Sequence, residues 1–515
     1  MAIRLNVGAG SLQRISLLSA VLWSGIAGAQ IATGGLSAGN GLFSSSDVAT
    51  AERTVPYVYG IDAGIGETDN VTLASINRTS QTIATADADL TVNERSRVFD
   101  VKAAGSFSYL DFLQHAYGSE LLGRFDGQAD AALIPGRLVW VLRDNFGQGA
   151  LDPYTPLTPN NIENINYVTT GPDLKLRLGG VDFVDVSARY ARAQYQGTPF
   201  NSNRFQGNIA LGRDVSAGAS ASLNVSTERV LFDNTVYNSD FERSSGYGRY
   251  ELHGARTDFV GELGATVVSQ SGSSQALLPA GTLGAASGGA STGPAAGSIP
   301  GLPGYSTQTG GSGSVSGPLA KLELSRVISP SSKIILRAGH DLLDASSSFS
   351  TQSTGAAGIN PITPAAQTSE SYRATYASVG WQYQRNRTTL AATARWEQDV
   401  YPGLSTLDSR LTGADVRVER RLTRAFTLQI VDSWNKSSYP NASLPHQVAG
   451  STDTANNILG GSLICRLGRG LEIRLRAEHD MYSVSNGNTG YHETRGFLTV
   501  GYRPTSTSNE PGSER

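Results

Sequence analysis

The sequence is notable first for what it lacks. Among 515 residues there is one cysteine, Cys465, so no disulfide can form within the chain and no metal site can be built from several thiolates. No stretch approaches the apolar length of a membrane-spanning helix. The net charge is −3 and no run of Lys and Arg is present, which argues against nucleic acid as a partner.

The N-terminus has the pattern of a targeting segment. Arg4 and Arg14 accompany a short apolar region that ends in Ala-Gly-Ala at positions 27–29. These features predict a signal peptide over residues 1–29, removed on export. The alternative is a buried N-terminal helix. Residues 30–55 are rich in Gly, Ser and Ala, and we expect a flexible periplasmic segment there.

From there to the C-terminal region, apolar and polar residues alternate. In the segment LEIRLRAEHDMY, Leu471, Ile473 and Leu475 share one parity, whereas Glu472 and Arg474 share the other. A strand separates such sets onto two faces, whereas a helix would mix them. The same alternation recurs along the chain and predicts many strands with one apolar and one polar face.

The connections between these segments alternate in length, short then long. This alternation is typical of an up-and-down barrel whose short turns face the periplasm and whose long loops face outside. We predict an all-β, antiparallel transmembrane barrel of about 20 strands (18–20) over residues 56–503, in the outer membrane of a Gram-negative bacterium. Residues 269–317 and 346–370 are predicted long external loops, and 504–515 a polar tail.

Two soluble folds are alternatives, a secreted β-sandwich and a β-solenoid. A sandwich would bury its apolar face in protein, and a solenoid would show a fixed repeat period. Neither explains why the loops are long at only one end. A closed barrel does, and it leaves no unpaired backbone edge in the bilayer.

Three strands carry Arg-x-x-x-Asp on their polar face, beginning at Arg337, Arg395 and Arg476. The motif indicates either a charged lining that selects polar solutes or cross-strand ion pairs that stiffen the wall. The predicted lumen-lining residues are Arg337, Asp341, Arg395, Glu397, Asp399, Glu472, Arg474, Arg476, Glu478 and Asp480.

Catalysis is not expected. His340 and His479 each precede an aspartate, but neighbouring strand residues point to opposite faces, so neither pair forms an acid–base couple. Neither a Gly-x-Ser-x-Gly elbow nor a His-Glu-x-x-His motif occurs. No cofactor or metal is predicted, and Cys465 is expected to face lipid as a small apolar residue.

Three stretches in the N-terminal half resemble a known family. They are YGIDAGIGETDNV (59–71), SYLDF (108–112) and VLRDNFGQGALDPYTPLTPNNIENINYVTTGPDLKLRL (141–178). They resemble the outer-membrane β-barrel proteins associated with PEP-CTERM/exosortase systems, found beside exopolysaccharide genes. The resemblance implies an outer-membrane location and a link to polysaccharide or envelope export. The last strand departs from the many barrels that end on an aromatic residue, because a polar tail follows it.

Together these observations favour a pore or export component for hydrophilic material such as exopolysaccharide. The alternative is a structural or surface-interaction barrel whose lumen is plugged, and a hydrolase acting at the barrel rim is the least favoured function. Expected partners are outer-membrane lipid, the barrel-assembly machinery during insertion and envelope components of polysaccharide export.

Overall fold

A computed structural model gives the structure of most of the predicted barrel. It describes residues 57–151, 158–235, 238–271, 275–279, 305–309, 313–353, 362–363, 368–441, 452–468, 470–485 and 490–504. The predicted signal peptide, the segment 30–55 and almost all of the polar tail lie outside the described residues.

Twenty long strands form the wall. In chain order they are β1 Tyr57–Thr68, β2 Gln81–Arg95, β3 Phe99–Phe112, β4 Glu120–Ile134, β5 Leu138–Ala150, β6 Ile162–Arg177, β7 Asp182–Tyr195, β8 Ser202–Ser216, β9 Ala219–Phe232, β10 Phe241–His253, β11 Thr257–Gln270, β12 Ser314–Ser329, β13 Ser332–Leu343, β14 Tyr372–Arg385, β15 Thr388–Val400, β16 Ser409–Arg421, β17 Phe426–Tyr439, β18 Thr452–Gly468, β19 Leu471–Val484 and β20 Tyr491–Tyr502.

Each strand pairs antiparallel with its neighbours in sequence, and β1 pairs with β20 from Ile61↔Tyr502 to Thr68↔Arg495. The sheet is therefore closed, and both the predicted fold and the predicted strand number are confirmed. Since neighbouring strands lie about 4.8 Å apart and tilt by about 40°, twenty strands give a barrel about 40 Å across between backbones.

Arg503 holds the closing seam together at the short-turn end. Its guanidinium contacts Asp62 on β1 at 2.9 Å, Asp89 on β2 at 2.5 Å and Glu472 on β19 at 2.8 Å. Gly501 makes room for this arrangement, because a side chain at position 501 would collide with the carboxylate of Asp62. Three strands are thus joined by one cation where the first and last strands meet.

The connections alternate between short and long, as predicted. The short turns use residues that tolerate left-handed backbone: Gly136 has φ 72° between β4 and β5, and Asn386 has φ 51° between β14 and β15. The predicted loop 269–317 is shorter than expected, since β11 extends to Gln270 and β12 begins at Ser314. Within it, Gln275–Pro279 pairs with Tyr305–Thr309.

Strand parity separates two surfaces. Outward side chains are strongly exposed in the isolated chain, among them Leu223 at 71%, Leu263 at 72% and Leu475 at 57%. Inward partners such as Asp62 and Glu478 are buried. A closed sheet with an apolar outer surface satisfies its backbone within a bilayer, so the protein is a barrel of the outer membrane. Strands of 12 to 17 residues exceed the 9 to 11 needed to cross, and their ends project beyond the lipid.

Helical segments in the described residues are short: the α-helix α1, Ala345–Ser353, and 3-10 turns at Pro159–Asn161 and Ser405–Leu407. None of these is long and apolar enough to cross a membrane. The Pro159–Asn161 turn belongs to the proline-rich connection between β5 and β6, of which residues 152–157 lie outside the described residues.

Candidate functional site: the barrel interior and the loop that enters it

All ten predicted lumen-lining residues lie on the inward parity of β13, β15 and β19. The structure does not bring them into one site, because six strand positions separate β13 from β19. Their ion pairs run mostly between neighbouring strands, for example Arg337 to Glu323 at 3.3 Å and Arg395 to Asp415 at 2.9 Å. Cross-strand pairing is thus what the described contacts show, and a solute-selecting role stays a prediction.

The other predicted lumen-lining residues also make their contacts mostly with neighbouring strands. Asp341 pairs with Lys321 at 2.7 Å, and Asp480 accepts a hydrogen bond from the Tyr491 hydroxyl at 3.1 Å. On β19, Arg476 pairs with Glu478, which also pairs with Arg495 of β20 at 2.8 Å. Glu472 is held by Arg466 at 2.9 Å and by Arg503, with Arg474 at 3.9 Å. Glu397 and Asp399 lie on β15, where Asp399 accepts from Ser409 at 3.4 Å.

The inner wall is not polar along its whole height. Towards the long-loop end, inward side chains form four buried apolar clusters that include loop residues such as Val71, Phe200 and Leu404. Aromatic residues near the strand ends therefore divide between the two faces of the wall. Tyr190 and Tyr502 are exposed on the outer face, whereas Tyr195, Tyr401 and Phe497 point inward and are buried. Loops packed on the inner wall explain this difference, because they cover apolar surface that water would otherwise contact.

The loop 344–371, which we call the inner loop, contains the segment 346–370 that was predicted to be external, but its described parts enter the barrel. Phe349 of α1 is buried among inward residues of β6 and β7, including Tyr167 and Ala193. The Tyr195 hydroxyl lies 2.8 Å from Ser346 Oγ. Farther on, residues 362–363 pair in parallel with Gln148–Gly149 of β5. The loop leaves β13 and reaches a strand eight positions away, close to the opposite wall.

A buried group of four charges fixes the start of the inner loop; we call it the anchor cluster. Arg204 donates two hydrogen bonds to Asp344, at 3.2 and 2.5 Å, and Arg243 lies 3.5 Å from the same carboxylate. Glu228 pairs with both arginines. Burial alone would raise the pKa of Asp344, but the two guanidinium groups and the Ser347 hydroxyl outweigh it and hold that pKa well below its usual range.

The other end of the inner loop is fixed against the loop 401–408. Glu370 Oε1 accepts a hydrogen bond from the Gly403 N–H at 2.6 Å, and Glu370 is 4% exposed. Burial raises the pKa of Glu370 to about 7; the hydrogen bond opposes this rise and nearby Asp408 adds to it. Burial likewise raises the pKa of Asp408, which accepts a hydrogen bond from the Tyr401 N–H. This contact can therefore respond to pH between weakly acidic and neutral values.

Sequence reasoning missed the anchor cluster. Arg204, Glu228 and Arg243 all have inward parity on β8, β9 and β10, and this signal was available. Their partner Asp344 lies 140 positions from Arg204 in a loop, and parity gives no information about loops. The contact could be recognised only once the fold was known.

His340 and His479 have the outward parity of their strands. His340 Nδ1 lies 2.8 Å from Thr375 Oγ1, and His479 stacks on His492 with ring centroids 6.0 Å apart. Asp341 and Asp480 point to the other side of the wall, so neither His-Asp dipeptide forms a couple. Over the residues that the structure describes, no group of three or more His, Cys, Asp or Glu could hold a metal ion.

No protein-family model and no curated protein matches this chain. Similar solved structures include the copper transporter OprC, with 11% identity over 88% of this chain and 81% of that one and a TM-score of 0.37. The closed form of the ferric-catecholate import receptor Fiu from E. coli K12 has 10% identity, coverages of 86% and 81% and a TM-score of 0.40. The ferric citrate transporter FecA has 9% identity, coverages of 88% and 79% and a TM-score of 0.38. Identities and TM-scores this low carry no argument about the function of this chain.

Proposed function

We propose that the protein is an outer-membrane channel for hydrophilic material, narrowed from within by the inner loop. The observation that carries the proposal is the position of this loop, which starts at β13, packs α1 on β6 and β7 and pairs with β5. A barrel about 40 Å across has room for an aqueous path beside such a loop. The inward ion pairs make the inner wall charged between the short-turn end and the apolar clusters, which suits polar solutes.

Conductance of the purified protein in planar lipid bilayers tests this function. The wild-type protein should conduct ions in discrete steps. A variant in which a short Gly-Ser turn replaces residues 345–367 should conduct more, since Leu343 and Tyr372 already pair directly and β13 and β14 can remain joined. If neither protein conducts at any voltage, the channel proposal fails.

The second candidate is a plugged barrel that acts through its surface loops. The four apolar clusters at the long-loop end favour it, because they bring several loops onto the inner wall. The same recordings distinguish the two candidates. A plugged barrel stays silent in the wild type and opens, if at all, only when residues 345–367 are replaced.

The transported material is a further part of the proposal. The resemblance to barrels found beside exopolysaccharide genes supports a hydrophilic polymer such as exopolysaccharide, and a charged inner wall is compatible with it. Deleting the gene should lower the amount of secreted polysaccharide, and adding that polysaccharide should block the single-channel current. Unchanged secretion together with an unblocked current would remove polysaccharide from the proposal and leave the channel itself standing.

A further inference from the structure

The outer wall carries an apolar groove of about 1240 Å³ that runs obliquely across β7–β15. Gly248 lies in register between Leu223 and Leu263 and leaves space between these two projecting side chains. Ala338 lines the groove farther along. The side chains that line it have mostly the outward parity, so the groove opens towards the membrane. A cleft of this kind on a lipid-facing wall has the shape and polarity to hold acyl chains.

The groove ends near the outer leaflet, where two cations lie. His340, Thr375 and Trp396 line this end. Arg373 follows the same outward parity two residues above Thr375 on β14. Arg410 on β16 pairs in register with Gln398, two residues above Trp396. Both arginines are the second residues of their strands at the long-loop end, which is the level of lipid headgroups.

These two arginines lack an acidic partner, unlike some other cations of the outer face. Arg192 is neutralised by Asp233 at 2.5 Å and Arg213 by Asp182 at 2.6 Å. Within the described part of the chain, neither Arg373 nor Arg410 has a carboxylate within 4.0 Å, and Arg373 donates to the carbonyl oxygen of Ser316 at 3.4 Å. Two guanidinium groups therefore remain available above one end of an apolar groove.

We propose that this groove binds a phosphorylated acyl lipid of the outer leaflet, with its chains in the groove and its phosphate on Arg373 and Arg410. Guanidinium groups bind phosphate through paired, charge-assisted hydrogen bonds. The acyl chains fill the groove and cover the apolar side chains that line it. The lipid site includes neither the ion pairs of the lumen nor the inner loop, so it is independent of the channel function.

Native mass spectrometry in detergent tests the site with bis-phosphorylated lipid A and its dephosphorylated form as probes. The double variant Arg373→Gln/Arg410→Gln should bind bis-phosphorylated lipid A at least tenfold more weakly than wild type. The control Arg420→Gln removes an outward cation at the other end of β16 and should bind as wild type does. Dephosphorylated lipid A should bind wild type and double variant equally.

A second variant tests the groove separately from the charges. Ala338→Phe fills part of it and should weaken binding of both forms of the lipid, while the heat-modifiable gel mobility of the folded barrel stays unchanged. The proposal is overturned if the double variant binds bis-phosphorylated lipid A like wild type, or if Ala338→Phe lowers the oligomeric mass and leaves lipid binding unaltered. The latter result would mean that a second copy of the chain occupies the groove.

Discussion

Replacing Asp344 by Asn should release the inner loop from the wall. Asp344 is 3% exposed, and its carboxylate receives three contacts from Arg204 and Arg243. In the variant, Glu228 would be the one ion-pair partner left to both guanidinium groups among the described residues. Breaking a buried ion pair from one side costs about 3 to 5 kcal/mol, because the remaining charge stays buried without compensation.

This energy acts mainly on the docking of the loop, since Asp344 lies outside the strands. A change of about 3 kcal/mol shifts the ratio of docked to undocked loop by a factor of roughly 100 or more. Two measurements follow. Single-channel recordings of Asp344→Asn should show a larger conductance or frequent transitions to a larger state, and limited proteolysis should cleave the inner loop faster than in wild type.

Asp233→Asn is the matched control. Asp233 also lies in a loop and also pairs with an arginine, Arg192, but its side chain is 41% exposed on the outer face. An exposed pair contributes about 0 to 1 kcal/mol. No described residue of the inner loop is hydrogen-bonded or ion-paired to Asp233. Equal conductance and equal proteolysis for wild type, Asp344→Asn and Asp233→Asn would refute the anchoring role of Asp344.

Three further changes test other contacts. Phe349→Ala removes an apolar contact without changing charge, and such a change costs about 3 to 5 kcal/mol in a packed site. It should raise single-channel conductance, as Asp344→Asn does. Unchanged conductance would contradict the docking of α1. Raising the pH from 5 to 8 ionises Glu370, and since the folded state favours its protonated form, amide-exchange protection of the loop 401–408 should fall. Glu370→Gln should abolish this pH dependence. A pH dependence that persists in the variant would exclude Glu370 as its cause. Arg503→Met should lower the free energy of unfolding in urea by about 3 kcal/mol. The side chain of Arg213 is 66% exposed, so the control Arg213→Met should lower it by no more than about 1 kcal/mol. Equal losses would contradict the role of Arg503 at the seam.

The wall of the barrel was predictable because its physics is local. Side chains two residues apart share a face, so the alternation in Leu471–Val484 predicts correctly that Glu472 and Glu478 point inward and Leu475 outward. The alternation of short and long loops predicted the up-and-down topology, and this pattern is also local because each connection joins adjacent strands. No partner distant in sequence had to be known.

The inner loop could not be predicted from such local patterns. The sequence ASSSFSTQS of α1 is polar apart from Ala345 and Phe349 and resembles an exposed loop. Its position depends on Arg204 and Arg243, which belong to strands far from it in sequence. The seam was missed for a similar reason, because Arg503 follows the last strand immediately and its partners Asp62 and Asp89 lie at the other end of the barrel domain.

The central claim is that one face of the wall meets lipid and the other meets a water-filled interior, and cysteine accessibility along β14 tests it most directly. In a Cys465→Ser background, single cysteines at Ser378 and Gln382, which point inward, should react with a small charged thiosulfonate reagent in proteoliposomes. Cysteines at Ala377 and Val379, which point outward, should resist it. Equal reactivity on the two parities, or protection of the inward pair alone, would contradict a barrel with a wet interior.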